Sequence, residues 1–131
     1  MTKFVIDAGV GLHLIGEGIA VGPTYELLAP TLFRWQTLEL AHESVVRGEI
    51  PANVALERIE KVWQFRIRML GDAVLRRLAW KLANQLERVS TFAAEYIALS
   101  LLQGDAFVTL DADLARRVTG VVAVASIDDL R

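Results

Sequence analysis

Two carboxylates stand where apolar runs stop. Residues 3–7, KFVID, form a short β-branched run closed by Asp7, and residues 106–113, AFVTLDAD, run apolar until Thr109, Leu110 and Asp111, with Asp113 two positions on. An acid just past a strand can cap the helix that follows, accepting bonds from its orphan amides and favouring its dipole. It can also do chemistry. Two carboxylates brought within about 4 Å repel by about 4 kcal/mol at an effective dielectric near 20. A divalent cation removes that cost, and a hard cation such as Mg²⁺ favours one or two carboxylates with water and phosphate oxygens. Phosphodiester chemistry is the natural expectation for such a pair.

Other reactive types give less. The chain has no cysteine, so disulfides, thiolate zinc sites and cysteine nucleophiles are excluded, and the metal candidates must be oxygen-ligated. HESVV, from His42, matches the start of the zinc-protease helix motif, but the second histidine it needs is Val46. GEGIAVG, residues 16–22, has GxGxxxG spacing in place of the dinucleotide GxGxxG and follows no convincing strand. His13 lies in an apolar stretch with no evident partner, which suits a core or surface role. Trp35, Trp63 and Trp80 fall at apolar helical positions, so packing is expected of them over base stacking. Arg116 and Arg117 follow Asp111 closely enough to meet a phosphate, or to form a solvated face.

The elements that must position these groups can be read from periodicity. The 131 residues suit one domain, residues 1–131, and the chain is half hydrophobic and a quarter charged with a formal net charge of −2. That profile is of a folded chain, and the charge argues against coating nucleic acid by bulk positive potential. Asp7 and nearby glycines interrupt what a secretory peptide would keep apolar, and no run reaches the roughly 18 residues of a membrane span, so a cytoplasmic protein is expected. KFVID reads as a first strand, AGVGLHLIGEG as a helix, and YELLAP as a strand stopped by Pro30. Leu32, Trp35, Leu38, Val45 and Val46 recur near helical spacing up to Gly48, and Pro51 opens a second helix carrying Val54, Ile59, Val62 and Trp63. RIRML alternates as a strand does; Asp72 then caps a helix with Val74, Leu75, Leu78, Leu82 and Leu86 as its stripe, and Ser90 or Thr91 caps the next. AFVTL is a strand, DADLARRV a short helix and VVAVAS the last strand. This alternation predicts an α/β protein with a parallel sheet between helical layers, whose ligands lie beyond the strand carboxyl ends where strand order reverses. If the strands ending at Asp7 and Asp111 flank that point, their carboxylates converge.

Taken together, FVIDAGVGL, the helix ending VVRGEI, the block AAEYIALSLLQGDAFVTLDADLARR and the closing VVAVASIDDL resemble the PIN domain, specifically the VapC-like toxins of bacterial and archaeal toxin–antitoxin pairs. The resemblance runs from Phe4 to Leu130, and its most specific piece is TLD at Thr109–Asp111. It implies a three-layer PIN-like fold with a central parallel sheet, homodimerisation, and ribonuclease activity dependent on Mg²⁺ or Mn²⁺ held by about four acids. It also implies RNA as substrate and a cognate antitoxin that blocks the site. Asp7 matches the first acid and Asp111 the last, with Thr109 in the usual hydroxyl position. The second acid belongs six residues past the proline and twelve before the helix-ending glycine, and counting from Pro30 and from Gly48 reaches Gln36 both times. The third belongs three residues before a tyrosine and eighteen before the last acid, and counting from Tyr96 and from Asp111 reaches Ala93 both times.

Neighbours offer partial replacements. Glu39 lies about 60° around the helix from Gln36 and roughly 4.5 Å along it, so a long side chain can share the space. Glu95 lies about 160° around from Ala93 and should point elsewhere. Asp113 is a nearby spare, and Gln36 offers a neutral carbonyl oxygen, a weaker ligand for a hard cation. The expected metal set is therefore Asp7 and Asp111, with Gln36, Asp113 and Glu39 as auxiliaries, holding the cation loosely. Two readings follow: a metal-dependent endoribonuclease toxin with a partly degenerate acid site, or a catalytically weakened PIN domain that works by binding RNA or protein.

Overall fold

The computed structural model describes residues Met1–Arg131. Five strands, β1 (Thr2–Ile6), β2 (Tyr25–Pro30), β3 (Ile67–Leu70), β4 (Ala106–Val108) and β5 (Val124–Ala125), alternate with six helices, α1 (Ala8–Gly16), α2 (Phe33–Val46), α3 (Ala52–Gln64), α4 (Ala73–Gln85), α5 (Thr91–Gln103) and α6 (Ala112–Val118). All strand pairs are parallel, in the order β3-β2-β1-β4-β5. The expected α/β architecture with a parallel sheet is what forms. No helix is long and apolar enough to cross a membrane.

A parallel sheet covered on both faces needs apolar side chains at successive positions. Phe4, Val5 and Ile6 of β1, Leu27, Leu28 and Ala29 of β2, and Phe107 and Val108 of β4 are all buried. One group of helices, α1, α2 and α3, packs mutually, while α4 packs on α5 and α5 lies against β1, β2 and β4. A single core of 25 buried residues joins these elements, and Ala41, Ala55 and Ile59 form a small second cluster between α2 and α3. At Gly11 a Cβ would sit 2.9 Å from the Phe33 ring, so only glycine permits α1 to approach α2 this closely. Caps appear where expected: Asp72 accepts from the Leu75 amide and Ser90 from the Ala93 amide.

Several expectations are corrected. The buried face of α2 is Phe33, Thr37 and Ala41, whereas Trp35, Leu38 and Val46 are exposed. Trp35 sits about 200° around the helix from Phe33, and because α2 is apolar on more than one side, spacing alone could not choose its inner face. Trp63 and Trp80 each follow a buried residue, Val62 and Ala79, which turns them about 100° off the stripe. The three indoles are 72%, 56% and 67% exposed, so core packing is not their role. Val74 also lies outside the stripe, which runs through Leu75, Ala79 and Leu82. The last two strands are shorter than their apolar runs: β4 stops before Thr109, and β5 keeps only Val124–Ala125.

Candidate active site

Strand order reverses between β1 and β4. From β1 the chain moves through β2 to β3, then returns to lay β4 along the other side of β1, pairing Ile6 with Val108. The residues after these two strands are therefore neighbours, which brings Asp7 beside Thr109 and Asp111. The Thr109 hydroxyl donates to Asp7 Oδ2 at 2.5 Å and accepts the Asp111 amide at 3.1 Å. One hydroxyl thus fixes both acids.

Each carboxylate also caps a helix. Asp7 Oδ1 accepts the Val10 amide at 2.9 Å and Asp111 Oδ1 accepts the Leu114 amide at 3.1 Å. Capping and chemistry are therefore not alternatives here: the cap on Asp111 leaves its second oxygen without a protein partner, and Asp7 Oδ2, which accepts from Thr109, keeps a second lone pair. Burial pushes the Asp7 carboxyl above its ordinary range; the Thr109 and Val10 bonds oppose that rise, and the charge of Asp111 adds to it. Asp111 is exposed, so water can reach its second oxygen.

The acids lie at the floor of a cleft of about 720 Å³ that also includes Gln36, Glu39, Glu43, Ala93 and Tyr96. Gln36 and Ala93, the positions where two further acids were expected, do meet Asp7 and Asp111 in one site. The buried Tyr96 hydroxyl donates to Gln36 Oε1 at 2.6 Å, so the neutral oxygen of Gln36 is already engaged. Burial raises the Tyr96 phenol, with the charges of Asp7 and Glu95 next in effect, which keeps it a neutral donor. Glu39 lines the cleft wall as expected of a long side chain one turn past Gln36. Asp113 does not enter: its carboxylate pairs with Arg116 at 3.0 Å and Arg117 at 2.8 Å on the outer side of α6. The same contacts pair Arg116 and Arg117 with Asp113, which is absent from the cleft lining, so the structure does not bring Asp113 to the two acids. Glu95, His13 and His42 lie outside the cleft lining.

Two cleft residues went unrecognised in the sequence. Tyr96 served only as a counting mark, although it lies one turn beyond Ala93 and so shares its face. Glu43 is one turn beyond Glu39, the same signal. A second hollow of about 680 Å³, between Tyr25, Phe65, Arg66 and Arg68, lies at the amino ends of β2 and β3. That end is away from the reversal of strand order, where parallel sheets place ligands.

Nowhere do three or more His, Cys, Asp or Glu side chains come together as a metal cage. The donors that do converge, Asp7 and Asp111, fit one hard cation whose remaining positions come from water and phosphate, an arrangement Mg²⁺ accepts.

The sequence matches no family model, and no curated protein matches it. Solved structures do match. PAE2754 from Pyrobaculum aerophilum superposes with a TM-score of 0.73 at 16% identity, covering 98% of this chain and 92% of that one. A chain of VapBC-1 from nontypeable Haemophilus influenzae superposes with a TM-score of 0.63 at 15% identity, covering 95% and 98%. This is the PIN/VapC fold. At such identities the likeness establishes architecture alone, and within that architecture the carboxyl ends of β1 and β4 supply the acids of this PIN-fold chain.

Proposed function

We propose that this protein is a VapC-like endoribonuclease dependent on Mg²⁺ or Mn²⁺, the toxin of a cytoplasmic toxin–antitoxin pair, working with a reduced set of acids. The observation that carries the reading is the coupling of Asp7, Thr109 and Asp111 across the reversal point between β1 and β4. When bound, Mg²⁺ or Mn²⁺ supplies charge neutralisation at the scissile phosphate and a more acidic attacking water. Asp7 and Asp111 hold the cation. Thr109 holds Asp7 in one rotamer through Oδ2 and ties it to the Asp111 backbone, so the two acids keep their spacing without a third carboxylate between them. Because burial raises the Asp7 carboxyl, its protonation in acid removes one of the two ligand charges, and cation binding and cleavage fall with it.

RNA is the substrate, a second copy of the chain the working partner, and a cognate antitoxin the inhibitor. Exposed Trp35, Phe92 and Leu110 around an acidic floor suit closure by a protein segment with apolar and basic side chains. The second reading, a PIN-fold module that binds RNA or protein without cutting, is favoured by the Tyr96–Gln36 bond and by Ala93, which together take two expected acids out of use.

The test is cleavage of RNA by the purified protein with Mg²⁺, with Mn²⁺ and with EDTA, alongside Asp7→Asn and Asp111→Asn. Metal-dependent cleavage lost in both variants supports the ribonuclease. Cleavage indifferent to metal and to both substitutions refutes it, and RNA binding with no cleavage under any metal establishes the binding module.

A further inference from the structure

The cleft contains Asp7, Glu39, Glu43 and Asp111 and no lysine, arginine or histidine. A polyanion gains most of its sequence-independent affinity from cations that neutralise phosphates, and this cleft offers none of its own. The chain concentrates its cations elsewhere. Between Arg58 and Arg88 there are eight Lys and Arg against three Asp and Glu, although the whole chain has 14 against 16. The centre of that segment is α4, AVLRRLAWKLANQ, which carries Arg76, Arg77 and Lys81 and no acid.

All three cations are exposed, and none has a carboxylate partner; the ion pairs of the chain use Arg47, Lys61, Arg68, Arg116, Arg117 and Arg131. Arg77 and Lys81 stand one turn apart with nothing to screen them, an arrangement that disfavours the helix. Trp80 lies one turn from both Arg76 and Arg77 and is 67% exposed. Unpaired cations beside an exposed indole form the combination that holds single strands, the cations tracking phosphates and the ring stacking on a base. The inner side of α4, through Leu75, Ala79 and Leu82, is buried against α5, so this outer face is rigidly presented. The chain then passes through exposed Arg88 to Ser90 and Phe92 at the cleft edge, making the basic surface contiguous in sequence with the acidic site.

We propose that the outer face of α4, formed by Arg76, Arg77, Trp80 and Lys81, docks single-stranded RNA and delivers it to the cleft. The inference rests on the ribonuclease reading and adds a binding surface apart from the acids. It explains how a chain of net negative charge with an acidic cleft can hold a polyanion.

The experiment measures anisotropy of a labelled oligouridylate against salt concentration in EDTA, where nothing is cut. The Arg76→Gln/Arg77→Gln/Lys81→Gln variant should weaken binding at least ten-fold and reduce the slope of log affinity against log salt by about 2, as expected for three lost phosphate contacts on a single strand. Trp80→Ala should weaken binding roughly 5- to 150-fold with the slope unchanged, and Trp80→Phe should restore most of it. Arg76→Lys/Arg77→Lys, which keeps the charge, should retain the slope and guards against a folding artefact. A triple variant that is folded and binds like wild type overturns the proposal. So does tighter binding of duplex than of single strand, or a change of oligomeric state in the triple variant, which would make this face an interface between copies. Metal-dependent cleavage abolished by Asp7→Asn but untouched in rate and binding by the α4 variants overturns this proposal alone. Failure of wild type to bind or cut any RNA overturns both it and the ribonuclease reading.

Discussion

Thr109→Val tests whether one hydroxyl holds the site together. Valine keeps the shape of threonine and removes the group that donates to Asp7 Oδ2 and accepts the Asp111 amide. The Asp111 amide lies at the surface, where water replaces the lost acceptor at little cost. The Asp7 bond is different, because its acceptor is a charged carboxylate at the cleft floor, and bonds to charged groups are worth about 1.5–3 kcal/mol. For a chain of 131 residues, unfolding entropy of about 2.1 cal/mol/K per residue turns that loss into a fall in Tm of roughly 5–11 °C. The sign of the pH dependence follows from the same bond. It lowers the Asp7 carboxyl against the larger upward effect of burial, so its stabilisation is present when Asp7 is ionised and is lost as pH falls through the folded-state value. The Tm deficit of Thr109→Val should therefore be full at neutral pH and shrink in acid, and Thr109→Ser should recover most of it. Differential scanning calorimetry from acid to neutral pH reads this directly. A deficit under about 2 °C at neutral pH, or one of equal size at every pH, refutes the coupling of Thr109 to an ionised Asp7.

Three further outcomes follow from the same site. Asp7→Asn should abolish cation binding yet raise Tm at neutral pH: burial holds the Asp7 proton more tightly folded than unfolded, so wild-type stability declines as pH rises from the ordinary carboxylate value through the raised one, and the neutral amide escapes that loss. A Tm at or below wild type at neutral pH would show that burial of this carboxylate carries no net cost. Gln36→Glu should add a carboxylate beside Asp7 and Asp111, tightening Mn²⁺ by about ten-fold, since affinity for hard cations follows ligand charge count, while lowering Tm without metal; unchanged affinity by titration calorimetry would remove position 36 from the cation's surroundings. Asp113→Ala should leave Mn²⁺ affinity unchanged and barely move the urea midpoint, as for an exposed ion pair, and loss of metal binding would return Asp113 to the site.

The sequence carried the architecture because a parallel sheet requires unbroken apolar runs, and FVI, LLA and AFV provide them among helices capped by residues such as Asp72 and Ser90. It also singled out residues that share one cleft. Counting from Pro30 and Gly48 to Gln36, and from Tyr96 and Asp111 to Ala93, singled out two non-acidic residues that the fold then places together on the cleft. What those residues do was not legible. Gln36 and Tyr96 are sixty positions apart, and no local period couples them, so the bond that withdraws the Gln36 oxygen emerges only when α2 and α5 reach the same cleft. The tryptophans were illegible for a related reason: an indole at an apolar helical spacing is compatible with either face until the neighbouring helix takes one. On α2, Phe33, Thr37 and Ala41 take the inner face, and Trp35 is left at the mouth of the cleft; on α4, Leu75, Ala79 and Leu82 do the same and leave Trp80 among unpaired cations. The surplus apolar and basic residues are thus on outer faces because tertiary packing had already filled the inner ones. The same logic separates two roles in this chain: residues at strand ends answer to the topology, which brings Asp7 and Asp111 to one cleft, whereas residues rotated off the helix stripes answer to nothing inside the fold and remain free to meet a partner.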